Sequence, residues 1–140
     1  MELGGSDAFI VLDDADLDKA VKWAVFGRHW NGGQVCCSSK RIIVHESIHD
    51  EFVRRYTEGV AQLQAGDPME ASTTLAPLSS QQAADDVRRW IDEAVAHGAT
   101  VTVIGAEVLR QGAFVRPVLL TGVKPGSTIK YNPFNTINKN

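Results

Sequence analysis

Short apolar runs alternate with helical apolar patterns along this chain, and that alternation is the strongest constraint on its fold. Residues 8–12 form a continuous apolar run, which is typical of a strand buried on both faces. Asp14 or Asp16 then caps a helix. Its apolar positions follow the spacing of one buried helical face: Leu17, Ala20, Val21, Ala24 and Val25. Strands separated by helices favour right-handed crossovers and a parallel sheet.

The same alternation continues to residue 120. A second strand is predicted over residues 41–45, and a helix follows it. The apolar face of that helix comprises Ile48, Phe52, Tyr56, Val60 and Leu63. Ser79 and Gln82 predict a capping box at the start of a third helix. Residues 100–104 and 114–120 predict two more strands, which a short connection would make antiparallel. The expected fold class is therefore α/β, with a largely parallel sheet and flanking helices.

Composition and charge exclude several classes of protein. The 140 residues fit one domain, and their net charge of −3 does not suggest a nucleic-acid surface. No apolar run approaches membrane-spanning length, and the first residues do not resemble a signal peptide. The only cysteines, Cys36 and Cys37, are neighbours, which rarely form a disulfide. We therefore expect a reduced, cytoplasmic protein with neither nucleic-acid nor membrane partners.

The C-terminal residues differ in composition from the rest of the chain. Residues 1–131 contain one asparagine, Asn31, whereas residues 132–140 contain four. One interpretation is that residues 130–140 were translated from different DNA, and the alternative is a polar, frayed terminus. We favour the first interpretation, and the predicted fold excludes this tail.

The candidate site is the stretch of residues 32–41 that contains both cysteines. A thiol on a glycine-rich loop between a helix and a strand can be exposed at a sheet edge, where reactive groups are common. The nearby cations Lys40 and Arg41 favour the reactive thiolate. The alternative, equally weighted on these residues alone, is that both cysteines are small buried apolar side chains.

The other polar candidates carry weaker signals. Gly4 and Gly5 precede a strand, whereas phosphate-binding glycines follow a strand and open a helix. The histidines lack a regular ligand spacing apart from His45 and His49, which fall at a strand end and a helix start. No metal site is predicted, and Glu2 alone would be a solvated acid.

Two motifs together change that interpretation. The glutamate motif Glu-Leu-Gly-Gly occupies residues 2–5, and the cysteine motif Gly-Gln-Val-Cys occupies residues 33–36, followed by Arg41. With the acidic segment 13–21 and the segment 75–78, these motifs resemble the catalytic domain of the aldehyde dehydrogenase superfamily. The similarity is closest to the succinate-semialdehyde dehydrogenase branch, and it covers residues 1–129 as a partial catalytic domain.

The resemblance implies roles for the motif residues. Cys36 matches the nucleophile that forms a thioester, and Glu2 matches the general base that activates water to hydrolyse it. Gly33, Gln34 and Cys37 match the nucleophile loop, where the Cys36 amide supplies half of an oxyanion hole. Full-length family members use NAD or NADP, but the cofactor-binding domain has no counterpart here, so no cofactor is expected for this chain alone.

The expected activity is therefore hydrolysis of activated or short-chain esters through Cys36. The alternative is a folded but inactive fragment of an NAD(P)-dependent semialdehyde dehydrogenase, because losing one oxyanion donor costs on the order of 10²–10³ in rate. The expected partners are a small ester or aldehyde and further copies of the same chain, since uncovered sheet edges and apolar faces favour homo-oligomers.

Overall fold

The described residues form a five-stranded, largely parallel sheet with helices on both faces, which confirms the expected α/β class. The computed structural model describes residues 4–108, 112–123 and 135–139. The strands are β1 (Asp7–Val11), β2 (Ser39–Val44), β3 (Thr100–Val103), β4 (Val118–Thr121) and β5 (Asn135–Lys139). The helices are α1 (Leu17–His29), α2 (His49–Ala61) and α3 (Gln81–Ala96), and short 3₁₀ turns span Trp30–Gly33 and Glu46–Ile48.

The strand order across the sheet is β1-β2-β5-β4-β3. Neighbouring strands are parallel except β3 and β4, whose antiparallel pairing confirms the prediction from their short connection. The last predicted strand is shorter than expected, because β4 begins at Val118 and residues 114–117 form no strand. Pro117 lacks an amide hydrogen and therefore cannot donate to a strand ladder.

The central position of β5 places residues 135–139 within the sheet, which corrects their exclusion from the predicted fold. Asn135–Lys139 lies between β2 and β4, and its Ile137 is fully buried in the core. The polar composition of this segment gives little periodic signal, whereas two neighbouring strands satisfy its backbone hydrogen-bonding groups. Its proposed origin from different DNA stays a prediction.

Each face of the sheet has its own apolar cluster. On β4, Leu119 packs with α1 and α2, whereas Val118 and Leu120 pack with α3, as the alternation of a strand requires. Helix α2 contributes a buried stripe at Phe52, Tyr56 and Val60. Burying a side chain such as Phe52 contributes about 1.5–3 kcal/mol, so this stripe is a major source of stability.

Strand β1 is an edge strand rather than a strand buried on both faces. Val11 is buried, but Ile10 and Leu12 are 64% and 58% exposed. The apolar run predicted the strand correctly and its burial wrongly, because β2 is the only described strand that pairs with β1. In the described parts of the chain, no helix has the length and apolar character needed to cross a membrane.

Candidate active site

The loop that carries the cysteines begins with three consecutive residues in the left-handed region. The φ angles of Asn31, Gly32 and Gly33 are 52°, 63° and 78°. A Cβ atom at Gly33 would lie 2.1 Å from the Arg28 Nη1 atom, so no other residue fits there without displacing Arg28. The chain thereby turns sharply from the end of α1 towards β2, and Gly33 is a steric requirement of the loop.

Arg28 and Ser38 tie the two ends of this loop together from beneath. Both are buried, and Arg28 Nη1 donates to the Gly33 carbonyl at 3.3 Å and to Ser38 Oγ at 3.1 Å. The Ser38 hydroxyl lies within hydrogen-bonding distance of the Gly27 and Arg28 carbonyls, at 3.1 and 3.3 Å. Burial lowers the pKa of Arg28 to about 10. A buried cation bonded to neutral acceptors holds the backbone in a single geometry.

Cys36 and Cys37 occupy the two central positions of a β-turn. The Ser38 amide closes the turn by donating to the Val35 carbonyl at 3.0 Å. Both cysteines are free thiols and both are exposed, so the alternative of two small buried apolar side chains is wrong. The Lys40 ammonium, which is buried, donates to the carbonyls of Val35 at 3.1 Å and Cys36 at 2.8 Å.

The segment after Glu2 runs directly beside this turn. Because β1 and β2 are parallel, the residues that precede the two strands lie next to each other at the same end of the sheet. A Cβ atom at Gly5 would lie 3.1 Å from the Cys36 carbonyl oxygen, and Arg41 Nε donates to the Ser6 carbonyl at 2.9 Å. The structure thus brings the chain that leads from the glutamate motif next to the cysteine motif. Glu2 itself lies outside the described residues.

Gln34 connects the cysteine loop to the segment before α3. Its side-chain oxygen accepts from the Ser79 amide at 2.7 Å, and its Nε2 atom donates to the Asn31 carbonyl at 3.1 Å. A cavity of about 260 Å³ lies beside this link and is lined by residues that include Arg28, Gln34 and Trp90. Gln34 therefore connects the cysteine loop to the loop before α3 by hydrogen bonds, in addition to its place in the motif.

The sequence reasoning missed Arg28 and Ser38 and assigned Lys40 a different task. Arg28 extends the apolar spacing of α1 by one turn, from Ala24 to Arg28, and a charged residue on a buried face was the available signal. Ser38 carries no signal beyond its closeness to the motif. Lys40 was expected to favour the thiolate, and the structure shows it bonded to the backbone of the turn.

The histidines do not assemble into a metal site in the described parts of the chain, where no group of three metal-binding side chains occurs. His29 is buried, and its Nε2 atom lies 3.1 Å from the Tyr56 hydroxyl. His45 Nδ1 contacts the Ser47 hydroxyl, and His49 Nδ1 contacts Asp50. His45 and His49 thus have separate local partners.

Together, the fold and the loop describe an α/β protein with an exposed thiol on a hydrogen-bonded turn. This turn lies at the end of the sheet where β1 and β2 begin. Residues 1–134 match the model of the aldehyde dehydrogenase family, and the chain belongs to that family. This finding confirms the resemblance carried by the glutamate and cysteine motifs.

The similar proteins include several semialdehyde dehydrogenases. The chain is 48% identical over 125 residues to a Deinococcus radiodurans succinate-semialdehyde dehydrogenase whose name specifies NADP(+), with 89% of this chain and 26% of that protein covered. The succinic semialdehyde dehydrogenase of Streptococcus pyogenes, solved with NADP+, superposes with a TM-score of 0.91 at 43% identity. The Burkholderia pseudomallei succinate-semialdehyde dehydrogenase gives 0.89 at 36% identity. Both structures cover 99% of this chain, which spans 31% and 30% of theirs.

Proposed function

We propose that this chain hydrolyses activated or short-chain esters by acyl transfer through Cys36. The observation that carries the proposal is an exposed thiol on a turn held by two buried cations, at the position of the family's cysteine motif. Cys36 Sγ attacks the ester carbonyl carbon, the alcohol leaves, and a thioester forms. Water then attacks the thioester, which releases the carboxylic acid and regenerates the thiol.

Glu2 is the proposed general base of the second step. It takes a proton from the attacking water and passes it to the departing thiolate, so the products are the carboxylic acid and the thiol. Two contacts of the next residues support this role. A Cβ atom at Gly5 would lie 3.1 Å from the Cys36 carbonyl oxygen, and the Ser6 carbonyl accepts a hydrogen bond from Arg41 Nε. The first step needs no general base when the thiol reacts as a thiolate, and the departing alkoxide then takes its proton from water.

For the whole protein we propose oxidation of a semialdehyde with NADP, in line with the names of the relatives. The described strand-to-helix connections do not fit the Rossmann type of dinucleotide site, which has a glycine-rich turn between a strand and a helix. The connection from β1 to α1 instead carries Asp13, Asp14 and Asp16, which would repel a pyrophosphate. No step in the proposed ester hydrolysis therefore involves NADP.

The chain is also proposed to form homo-oligomers in a reducing, cytoplasmic setting. Exposed apolar side chains occur at Ile10 on β1, at Leu12 directly after it, and near the end of α1 at Phe26 and Trp30. Apolar patches of this kind favour association, and a free thiol nucleophile needs a compartment that keeps it reduced. Light scattering that shows a single monomer at every concentration would contradict the oligomer.

A matched pair of cysteine variants tests the proposed activity. With p-nitrophenyl acetate, Cys36→Ala is expected to abolish the burst and the turnover, because the nucleophile is lost. Cys37→Ala is expected to retain most of both. Mass spectrometry after brief incubation should place the acetyl group on Cys36. Equal hydrolysis by the native chain and Cys36→Ala would show that the chain is inactive at this site.

Glu2→Gln separates the two steps in the same assay. The burst should be unchanged, because the base acts after the thioester has formed. Steady-state turnover should fall, but by less than in Cys36→Ala, because water can still attack the thioester slowly without the base. A Glu2→Gln variant without any burst would contradict the division of labour between Glu2 and Cys36.

A further inference from the structure

One buried side chain, Lys40, bonds directly to the backbone carbonyls of the Cys36 turn. The Lys40 ammonium bonds to two successive carbonyls, those of Val35 and Cys36, at 3.1 and 2.8 Å. Gly5 leaves room for this arrangement, because any side chain there would press on the Cys36 oxygen. Hydrogen bonds from a charged donor are roughly twice as strong as those between neutral groups.

The turn geometry determines where the corresponding amides point. The only non-glycine residue with a positive φ in the described chain is Asn31, and the described chain contains no cis peptide bond. A hydrogen-bonded turn over residues 35–38 is then of type I, since types II, I′ and II′ need a positive φ. In a planar trans peptide the N–H group points opposite to the carbonyl. With both carbonyls on Lys40, the Cys36 and Cys37 amides face the other side.

Of the described protein atoms, none accepts a hydrogen bond from the Cys36 or the Cys37 amide. Both residues are exposed. An acyl-transfer site needs donors where negative charge develops on the substrate oxygen, and the amide of the residue after a nucleophile serves this purpose in α/β-hydrolases.

We propose that Lys40 is a positioning residue for the reaction at Cys36, which aims the Cys36 and Cys37 amides together at the substrate oxyanion. The proposal rests on the proposed function and adds the Cys37 amide as a second donor. Lys40 touches no substrate atom and acts through the turn. Its contribution should therefore appear in reactions that create an oxyanion and be absent from reactions that do not.

The test compares two reagents on a single thiol. Cys37→Ser keeps the amide at position 37 and leaves Cys36 as the only thiol in the chain. Acylation by p-nitrophenyl acetate passes through an oxyanion, whereas alkylation by iodoacetamide displaces iodide from a saturated carbon. In this background, Lys40→Met should lower the ratio of acylation rate to alkylation rate about tenfold. Lys40→Arg should restore part of the ratio, because it restores cationic donors.

Lys19→Met is the matched control, since Lys19 is an exposed lysine paired with Asp16. It should leave the ratio unchanged. A ratio in Lys40→Met equal to that of its parent, or an equal loss in both reactions, would overturn the proposal. Both rates describe a first chemical step, so they can be measured even if the thioester is never hydrolysed and the proposed turnover fails.

A second measurement does not depend on the folding of the Lys40 variant. Labelling with ¹⁵N-cysteine gives only two amide signals, and the Cys37→Ser chain identifies the signal of Cys36. When a trifluoromethyl ketone forms a tetrahedral adduct on Cys36, both amide protons of the native chain should move downfield. A Cys37 amide that does not respond to the adduct would overturn the proposal.

Discussion

His29 is a buried histidine that the fold holds without charge. Its pKa falls to about 3, first because burial penalises the charged imidazolium and then because of the neighbouring Arg28 cation. The Tyr56 hydroxyl gives the neutral ring a hydrogen-bonding partner at 3.1 Å. Burial also raises the pKa of that hydroxyl. The two residues join the end of α1 to the middle of α2, beside the start of the cysteine loop.

This histidine should make the protein sensitive to mild acid. Below the ordinary histidine pKa of 6.5 the unfolded chain binds a proton that the folded chain refuses until about pH 3. The stability that the neutral His29 contributes is therefore fully present above pH 6.5. Below that pH the free energy of unfolding falls by about 1.4 kcal/mol per pH unit. Urea unfolding between about pH 5 and pH 8 measures this slope.

The matched variants for this slope are His29→Gln and His97→Gln. The first removes the titrating group from the core and should flatten the pH dependence in that range. The second changes an exposed histidine and should leave it unchanged. If the His29→Gln chain lost stability on acidification as steeply as the native chain, another group would be responsible.

At the scale of elements, helix ends are determined by side chains that bond to free amides. Asp16 caps α1 by accepting from the Lys19 amide, as one of the two predicted caps. Helix α3 is capped by Ser80, whose hydroxyl accepts from the Ala83 amide at 3.1 Å. The predicted cap, Ser79, is one residue too early, because its amide is engaged with Gln34 from the cysteine loop.

The two serines before α3 form a natural pair of variants. Ser80→Ala should lower the free energy of unfolding by about 1 kcal/mol, because the Ala83 amide loses its acceptor. Ser79→Ala should have little effect, since its contact with Gln34 uses the backbone. Urea unfolding of both variants measures the difference, and a larger loss in Ser79→Ala would restore the capping box predicted from the sequence.

At the scale of the whole molecule, β5 joins two halves of the sheet. Without it, β1 and β2 would form one ribbon and β4 and β3 another, with no described strand between them. Two-stranded ribbons are marginal in water. The buried Ile137 also contributes to the apolar cluster beneath α1 and α2.

Truncation tests the importance of β5. A chain that ends at residue 134 should lose its cooperative unfolding transition. In that chain β2 and β4 lose their hydrogen bonds with β5, and the core loses Ile137. A chain that ends at residue 139 should unfold like the native chain, and circular dichroism during thermal unfolding compares the two. Similar midpoints for both truncated chains would show that the sheet does not need β5.

The sequence alone was sufficient for the elements whose patterns are local. The apolar run of β1 and the helical spacing on α1 and α2 predicted the α/β class, because burial of one face imposes a fixed period on the residues that form it. The paired motifs around Glu2 and Cys36 were sufficient for the family. Their roles as base and nucleophile stay predictions that the cysteine and glutamate variants will test.

Only the tertiary structure decided which residues hold the site together and where the chain's last strand lies. Arg28, Ser38 and Lys40 act through backbone carbonyls of other segments, and such contacts leave no periodic trace in the sequence. Strand β5 is similarly polar in composition, yet it occupies the centre of the sheet because β2 and β4 satisfy its backbone on both sides. Pairing between strands depends on which segments of the chain lie next to each other, and that is a property of the assembled fold.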